Sequence, residues 1–376
     1  MLNEEFTGRA GIVQRLLQPY RIMAYDLIAP RCHGGLSVFA SKTDQNNVPL
    51  VGRDLEHAKF ASADNQYFFG GKFDLCWQRG LRHWLKTWRP DVVIVEANPR
   101  NLTTPLMIRW LHRRSCPVIG HGLGVMPLTS GFEKIRDLGR RGLIGLLDGV
   151  LAYSSLAAEQ YQSLGMPADR IFVAHNSVSP RPIRQAIQRP VISNQRPIIL
   201  FIGTLIARKN VDLLLKAVSE LRTSPKPILK IIGDGPLKKE LEALAASLRG
   251  DVQFLGDLRG EKLSNALLEA DIFVLPGTGG LAIQEAMAHA LPVIVSKADG
   301  TETDLVRPEN GWIIKPNDWV LLGATIEDAL ANPARLREMG TASYRIVSSE
   351  INIESMCETF LKAMNTIASK PLRKIS

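Results

Sequence analysis

Short apolar runs alternate with longer amphipathic stretches along almost the whole chain. The apolar runs have the length and the β-branched content of buried strands, and the stretches between them show the hydrophobic spacing of helices. Strands that alternate with helices form parallel sheets covered by helices on both faces. The pattern therefore predicts an α/β protein built from doubly wound parallel sheets.

The alternation falls into two series of elements. The strands predicted for the first series are Ala10–Val13, Leu36–Ala40, Asp91–Glu96, Pro117–Gly120, Gly149–Ala152 and Ile171–Ala174. Its predicted helices are Tyr20–Ile28, Arg79–Thr87, Leu106–Arg113, Glu133–Leu147 and Leu156–Leu164. The strands of the second series are Ile198–Ile202, Leu229–Ile232, Val252–Leu255, Ile272–Leu275, Val293–Val295 and Trp312–Ile314. Its predicted helices are Val211–Leu221, Leu237–Ala246, Glu261–Leu268, Gly280–Ala290 and Trp319–Ala331, with further helices over residues 334–368.

A segment rich in proline and small polar residues separates the two series, as is typical of a linker. With 376 residues the chain is long enough for two domains. We expect a first domain over residues 1–180, a linker over 181–196 and a second domain over 197–350. Residues 351–376 are expected to form a C-terminal helix that packs back toward the first domain.

Charge is distributed unevenly between the two series. Residues 1–196 carry 25 Lys and Arg against 15 Asp and Glu, a net charge of +10, whereas residues 197–376 carry 21 against 22, a net charge of −1. A basic first half indicates an anionic partner such as a lipid headgroup or a lipid-linked phosphate, and charge that only maintains solubility is the alternative. A nucleic-acid partner is not expected, because no basic motif with interleaved aromatic residues occurs.

Part of this positive charge lies beside leucines in two predicted helices, at Arg109, Arg113, Arg114, Lys134, Arg136, Arg140 and Arg141. Such a mixture could rest on an anionic membrane surface, and amphipathic helices packed on the sheet with charged outer faces are the alternative. No apolar run is long enough to span a bilayer, the N-terminus has no signal-peptide core, and the four cysteines form no CxxC pair. We therefore expect a cytoplasmic protein, with peripheral contact at the inner face of the membrane as a further expectation.

The most informative candidate site follows the predicted strand Ile272–Leu275. Gly277, Gly279 and Gly280 form a turn that opens a helix, and such a helix N-terminus can hold an anionic ligand. Glu285 is a lone carboxylate in that otherwise apolar helix, and it is costly to bury without a partner. We infer a site for a charged, hydroxyl-rich ligand such as a nucleotide sugar. The alternative is an ordinary strand–helix corner whose acid reaches solvent.

Two further turns of the second series could complete that site. Gly203 follows the first strand, and Arg208 and Lys209 come just before the next helix, where two cations are unfavourable unless an anion such as a diphosphate lies between them. A solvated loop is the alternative. Gly233 follows the next strand in a turn that, taken alone, is a weak signal.

The first series offers candidates for the chemistry and for an acceptor. His121 ends a predicted parallel strand, where a near-neutral pKa and a donor N–H could serve a reacting hydroxyl or a leaving phosphate. Tyr20 and Arg21 follow the first strand, and Asn98 and Arg100 follow another, so all four would face the same side. The alternatives are a hydrogen-bonded turn histidine and solvated loops.

Several catalytic motifs are absent from the sequence. It contains no Asp-x-Asp, His-Glu-x-x-His, P-loop or Gly-x-Ser-x-Gly motif. Residues 277–282 fit the Gly-x-Gly-x-x-Ala pattern, but they lie late in their domain, which argues against a nicotinamide or flavin site. We therefore expect no metal and no cofactor.

Five stretches of the second series resemble, in order, elements of the GT-B glycosyltransferases of the retaining family-four type. They are Phe201–Leu205 with Arg208-Lys209-Asn210, Ile231–Pro236, Phe254–Gly256, Glu285–Ala288 with Leu291–Ile294, and Glu309–Gly311. In the first series, His175–Val178 is similar to the turn that ends the family's first domain. The resemblance implies the GT-B fold, in which two Rossmann-like, doubly wound domains face each other across a cleft.

The resemblance also implies roles for residues. Arg208 and Lys209 would hold the diphosphate of a nucleotide-sugar donor, and Glu285 would accept hydrogen bonds from the ribose. The turn Gly279-Gly280-Leu281 would present amides to the donor, and His121 would lie near the reacting sugar. The expected activity is metal-independent, retaining transfer of a sugar to a glycan or lipid-linked acceptor in polysaccharide biosynthesis.

Two positions depart from the family pattern. Gly277 stands where members usually carry a second carboxylate, eight residues before Glu285, and Thr204 stands where many carry a phosphate-binding arginine. The absent acid leaves alternatives open: a non-catalytic GT-B protein that binds a nucleotide sugar or partners an active transferase, or a sugar-nucleotide epimerase.

Overall fold

The computed structural model describes residues 2–43, 54–68, 75–124, 133–182 and 196–373. Contacts divide the chain into two units. Unit 1 consists of Met1–Val178 and Ile353–Ser376, and unit 2 consists of Ser179–Asn352. The chain therefore leaves unit 1 once, builds unit 2 and returns. Most of the expected linker, residues 183–195, lies outside the described residues.

The elements of the first half alternate between strand and helix, apart from a run of four consecutive strands. Its strands are β1 (Ala10–Leu16), β2 (Leu36–Ser41), β3 (Lys59–Ser62), β4 (Asp64–Phe68), β5 (Leu75–Arg79), β6 (Val92–Glu96), β7 (Val118–Gly122), β8 (Gly149–Ala152) and β9 (Ile171–Val173). Its helices are α1 (Pro19–Ile28), α2 (Leu81–Trp88), α3 (Thr103–His112), α4 (Glu133–Leu146) and α5 (Ser155–Ser163).

The second half alternates regularly before it ends in helices. Its strands are β10 (Ile198–Ile202), β11 (Ile228–Ile232), β12 (Asp251–Gly256), β13 (Ile272–Leu275), β14 (Val293–Ser296) and β15 (Gly311–Ile314). Its helices are α6 (Val211–Ser219), α7 (Lys238–Ser247), α8 (Gly260–Glu269), α9 (Gly280–Ala288), α10 (Glu302–Leu305), α11 (Trp319–Ala331), α12 (Pro333–Ser349) and α13 (Ile353–Ala368).

Unit 1 is built on a parallel sheet with the strand order β3-β2-β1-β6-β7-β8-β9. Buried apolar side chains cover both faces of this sheet in two clusters. Helix α13 supplies Phe360, Leu361 and Met364 to one of them, so a segment distant in sequence completes this core. The order of the strands reverses between β1 and β6, which makes the carboxyl ends of these two strands the expected ligand edge of unit 1.

Unit 2 has a parallel sheet with the strand order β12-β11-β10-β13-β14-β15. All four residues of β13 and of β14 are buried, and one apolar cluster covers the sheet. The order reverses between β10 and β13, and these two strands are hydrogen-bonded neighbours. The two sheets confirm the prediction of doubly wound, Rossmann-like parallel α/β domains.

The strands β3, β4 and β5 were not predicted from the sequence. Strands β4 and β5 pair with each other in an antiparallel hairpin. The side chain of Asn65 donates to the Arg15 carbonyl at 2.7 Å, and that of Gln78 donates to the Gln14 carbonyl at 2.9 Å, so the hairpin contacts the end of β1. All three strands are mostly half-buried or exposed and lack the continuous apolar runs that mark the central strands.

Candidate functional site

The strongest candidate site lies at the carboxyl edge of the unit 2 sheet, where the strand order reverses. The loop after β10, residues 203–210, and the turn after β13, residues 276–279, both begin at this point. Ligands of doubly wound domains bind in the crevice outside the strand ends at such a reversal. The topology therefore brings together two of the turns that the sequence had singled out separately.

Hydrogen bonds join these two loops. The Thr278 N–H donates to the Arg208 carbonyl at 3.2 Å, and the Asn210 side chain donates to the Pro276 carbonyl at 3.0 Å. The Lys209 ammonium also donates to the Thr278 carbonyl. All three hydrogen bonds join the loop after β10 to the turn after β13. They therefore fix the position of Lys209 relative to the start of α9.

Glycines permit this close approach of backbone to backbone. Gly233 has a φ of 136°, and an added Cβ would lie 2.0 Å from the Gly203 carbonyl oxygen. At Gly277 an added Cβ would lie 2.3 Å from the Arg208 carbonyl oxygen. A glutamate at position 277 would therefore push the two loops apart, which gives a physical reason for the departure from the family pattern.

The N-terminus of α9 lies beside the Lys209 ammonium. The N-cap, Gly279, has a φ of 154°, and a Cβ there would lie 2.7 Å from Lys209 Nζ. No side chain caps this helix end, and the N–H groups of Ala282 and Ile283 donate to the Gly279 carbonyl at 3.2 and 3.4 Å. The N–H groups of Gly280 and Leu281 are therefore the ones available to a ligand. The turn and the lysine together form a cationic cradle suited to a phosphate.

Charge at this cradle is unbalanced. Burial lowers the pKa of Lys209, the neighbouring charge of Arg208 lowers it further, and Asp299 acts in the opposite direction. Arg208 itself is exposed. A bound anion would relieve both the repulsion between the two cations and the unfavourable position of Lys209 at a helix N-terminus.

Glu285 lies on α9 and has a partner within unit 2. Its Oε2 accepts a hydrogen bond from the Ser179 hydroxyl at 3.0 Å, while 32% of its side chain stays exposed. The neighbouring Gln284 is fully buried, accepts from the Ser179 N–H at 3.3 Å and donates to the Ile351 carbonyl at 2.9 Å. Glu285 is thus held at the surface, and it keeps acceptor capacity for a ligand hydroxyl.

Unit 1 carries the acceptor candidates on two neighbouring loops. Tyr20 and Arg21 begin α1 after β1, and Asn98 and Arg100 follow β6, which pairs with β1. Both loops lie at the carboxyl edge of the sheet. Asn98 Oδ1 accepts from the Arg100 N–H at 3.1 Å, so the side chain of Asn98 is already used to stabilise its own loop.

An ion pair at this edge was missed from the sequence. Arg15 Nε donates to Glu96 Oε2 at 2.9 Å, and the Arg15 N–H donates to the other oxygen of Glu96 at 2.9 Å. The pair joins β1 to β6 at the point where the strand order reverses. No local pattern connects residues so far apart in the chain, so only the polar end of the strand Asp91–Glu96 could have drawn attention to Glu96.

His121 lies at the end of β7, as predicted, but it is enclosed within unit 1. It is 3% exposed, and its ring packs edge-on against Tyr153 and Phe360, with centroid distances of 4.5 and 4.8 Å. Burial lowers the pKa of His121 well below its ordinary value, and the charge of Arg21 lowers it further. The expected near-neutral pKa is therefore wrong, and the imidazole is neutral at physiological pH. Its role in the reaction stays a prediction.

The basic helices α3 and α4 combine exposed arginines with exposed leucines. Arg109 and Arg113 are exposed on α3 or at its end, and Leu106 is 49% exposed. Leu138 on α4 is 73% exposed. The side chains of two of the cations predicted for this surface, Lys134 and Arg136, lie outside the described residues. Single exposed leucines are ordinary on a protein surface, so contact of these helices with a membrane stays a prediction.

The described part of the chain has neither a membrane-spanning helix nor a cluster of metal ligands. None of its helices has both the length and the hydropathy that crossing a bilayer requires. Within the same residues, no group of three or more His, Cys, Asp or Glu side chains could hold a metal ion. The four cysteines are all buried and free.

Known proteins with similar sequences are glycosyltransferases. Over 186 residues the chain is 31% identical to the GDP-mannose-dependent monoacylated alpha-(1-6)-phosphatidylinositol monomannoside mannosyltransferase of Corynebacterium glutamicum. This alignment covers 46% of this chain and 48% of that protein. Over 309 residues it is 24% identical to the lipopolysaccharide core biosynthesis glycosyltransferase LpsE of Rhizobium meliloti, covering 76% and 88%. The chain thus spans about half the length of the first of these relatives.

The fold and two family models also relate the chain to glycosyltransferases. The fold is similar to that of the Anabaena protein HepE in complex with UDP-glucose, with a TM-score of 0.68, 15% identity, and coverage of 96% of this chain and 100% of that one. Residues 32–177 match the glycosyl transferase 4-like domain, and residues 183–346 match the glycosyl transferases group 1 model. Together these matches cover most of the chain, which therefore belongs to the group 1 glycosyltransferases of the GT-B fold.

Proposed function

We propose that this chain transfers a sugar from a nucleotide-diphosphate sugar to a glycan or lipid-linked acceptor, with retention of configuration and without a metal. The observation that carries the proposal is the cradle of unit 2, where the Lys209 ammonium lies beside the uncapped N-terminus of α9. A diphosphate is the anion that best matches a lysine, an exposed arginine and two backbone N–H groups at a helix N-terminus.

The chemistry follows from this charge arrangement. Transfer of the sugar leaves a nucleoside diphosphate, whose leaving oxygen gains negative charge as the glycosidic bond breaks. Lys209, Arg208 and the amides of Gly280 and Leu281 would stabilise that charge without reorganisation, because the loops that carry them are already joined. Glu285 would accept from the ribose hydroxyls and so position the nucleoside half of the donor.

The setting of the reaction is inferred from relatives and from charge. The Corynebacterium relative uses GDP-mannose and acts on a phosphatidylinositol mannoside, and the Rhizobium relative acts in lipopolysaccharide core biosynthesis. We infer an acceptor of the polysaccharide or glycolipid class. The exposed Leu106 and Leu138 beside the arginines of α3 and α4 support peripheral contact with an anionic membrane surface at its cytoplasmic face.

Two variants and a control test the donor site. We expect Lys209→Ala to weaken UDP or GDP binding about tenfold or more while leaving the bare nucleosides nearly unaffected, because the lost interaction is charge-assisted and involves only the diphosphate. Glu285→Ala should weaken the binding of nucleosides and of nucleoside diphosphates alike. Lys239→Ala, at an exposed lysine on α7, serves as the control. Isothermal titration calorimetry measures all four proteins, and equal losses of both ligands in Lys209→Ala would refute the diphosphate assignment.

Turnover separates the proposal from its alternatives. The absence of an acid at Gly277 favours a second candidate, a non-catalytic protein that binds a nucleotide sugar or partners an active transferase. Incubation with GDP-mannose or UDP-glucose and a panel of acceptors should give transfer products. Tight donor binding without product would favour the binding protein, and conversion of the donor sugar without an acceptor would favour an epimerase.

A further inference from the structure

Arg21 is a buried cation that has no carboxylate partner among the described residues. It is 3% exposed, and its guanidinium lies 5.3 Å from the ring centroids of Tyr20 and Tyr153. Nη1 contacts the Met356 sulfur at 3.7 Å. Burial opposes the charge of Arg21, whereas the phenol groups of Tyr153, Tyr25 and Tyr20 raise its pKa, and none of these groups is an anion. The cluster therefore lacks a negative charge.

The neighbouring carboxylate of Glu96 does not provide this charge. Both of its oxygens accept hydrogen bonds from Arg15, one from Nε and one from the backbone N–H, each at 2.9 Å. In the described part of unit 1, no acidic side chain lies within ion-pair distance of the Arg21 guanidinium. The arrangement thus leaves one buried positive charge after the local ion pair has been counted.

A second side chain of the same cluster is also incomplete. His121 Nε2 is buried and has no hydrogen-bond partner among the described residues. The His121 ring contacts Tyr153, the same ring against which Arg21 lies. A neutral imidazole can donate from Nε2, so His121 offers an unused donor close to the Arg21 guanidinium, which has no carboxylate partner among the described residues. Buried polar groups without partners indicate a missing ligand.

We propose that unit 1 binds an oxyanion, a phosphate or a carboxylate group of the acceptor, at Arg21 and His121. The anion would neutralise the guanidinium and accept from the imidazole, which satisfies both defects at once. Tyr20, 40% exposed, is the member of the cluster that reaches the surface, so rotation of its ring would admit the anion. Assignment of the anion to the acceptor rests on the proposed transferase function, whereas the anion site itself does not.

The anion site is tested by NMR on the full chain with labelled histidine. The signals of His121 are assigned from their loss in His121→Gln. We expect millimolar inorganic phosphate to shift them, Arg21→Gln to weaken that response about tenfold or more, and Arg21→Lys to weaken it less because the charge remains. Arg109→Gln, at an exposed arginine of α3, should respond as the wild type does. Lys209→Ala should also retain the shift, which separates this site from the diphosphate cradle.

Circular dichroism verifies that each variant is folded, and Arg21→Lys keeps the test valid where Arg21→Gln is not folded. No shift of His121 at millimolar phosphate, or the same shift in both Arg21 variants, would overturn the proposal. Loss of the shift in Lys209→Ala would also overturn it, because the anion would then be bound by unit 2.

The source of the anion is tested by transfer to paired acceptors that differ only in a phosphate or carboxylate against its neutral ester. Arg21→Gln should raise KM for the anionic acceptor about tenfold and leave KM for the neutral one unchanged. Equal effects on both would mean that the site takes a free anion, and the acceptor assignment would be wrong. If no acceptor is used but His121 still responds to phosphate, the anion site stands and the transferase function fails.

Discussion

The ligand edges of the two units have the same topology but are built from different parts of the chain. In unit 2 the edge consists of backbone: glycine turns, uncapped helix amides and one half-buried lysine tied to a carbonyl. In unit 1 the edge consists of buried side chains, with Arg21 and His121 packed around Tyr153. A doubly wound sheet thus fixes where a ligand binds, whereas the local sequence decides which groups meet it.

The difference has consequences for how each site can vary. A site made of backbone depends on the space that glycine leaves, so any added side chain disturbs it. A site made of buried side chains depends on charge and on hydrogen-bond partners, so it responds to pH and to changes of ionisation. We expect the edge of unit 2 to be sensitive to the volume of an added side chain, and the edge of unit 1 to be sensitive to a change of charge.

The largest effect is expected from a methyl group in unit 2. Gly233→Ala adds a Cβ 2.0 Å from a backbone oxygen at a φ of 136°, so both clash and backbone strain oppose folding. Gly250→Ala is a matched control, because its φ is 154° but no heavy atom lies within 4 Å of the new Cβ. We expect losses of about 3 kcal/mol or more for Gly233→Ala and about 1–2 kcal/mol for Gly250→Ala in urea unfolding. Equal losses would show that the close approach to Gly203 is unimportant.

A charge effect of intermediate size is expected in unit 1. The pKa of His121 is lowered in the folded state, so below the ordinary histidine pKa the unfolded chain binds a proton that the folded chain excludes. Stability should therefore fall with decreasing pH, by up to about 1.4 kcal/mol per pH unit below about pH 6.5, and His121→Phe should remove this contribution.

Urea unfolding at about pH 7 and about pH 5 measures the effect, on either side of the ordinary histidine pKa. Phe39→Leu, at a buried phenylalanine of unit 1 that stacks on Trp84, is the control and should lose equal stability at both values. If the difference between wild type and His121→Phe is the same at both, the histidine is not held neutral by its surroundings.

The smallest effect is expected for membrane binding by exposed arginines on the surfaces of the two units. Arg113→Gln, in the basic first half, should weaken binding to vesicles that contain phosphatidylserine by about fivefold, since one arginine near an anionic surface contributes about 1 kcal/mol. Arg249→Gln, an exposed arginine of unit 2, should leave binding unchanged. Sedimentation with phosphatidylserine and with phosphatidylcholine vesicles provides the measurement. Similar losses of vesicle binding in both variants would show that the anionic membrane has no preference for the basic first half.

Most of the fold could be predicted from the sequence, because buried parallel strands leave an unambiguous pattern. The run Ile272–Leu275 is wholly buried, and its predicted bounds are those of β13. Strands β3 to β5 escaped prediction because they lie at an edge or in a hairpin, where half-exposed polar residues are tolerated. A strand with an exposed face carries less local signal than one that is buried on both faces.

The candidate site likewise contains some residues that could be predicted from the sequence and others that could not. The turn at Gly277 and Gly279 and the loop that carries Lys209 could each be predicted, because glycine turns before helices have a local signature, whereas the pairing of β10 with β13 brings them together. The hydrogen bond from Ser179 to Glu285 and the pair between Arg15 and Glu96 could not, since each joins residues far apart in the sequence. The burial of His121 depends on Phe360 of α13, and no pattern around His121 indicates that helix.

Helix α13 gives the chain an unusual order of assembly. Its apolar side chains fill the core of the first sheet, yet it follows all of unit 2 in the chain. On the ribosome, the second sheet can therefore reach its final packing while the earlier one is still waiting for its covering helix. The nascent N-terminal half would spend the whole synthesis of residues 179–352 with an apolar face open to water, and chaperones that bind such faces would act on that half first.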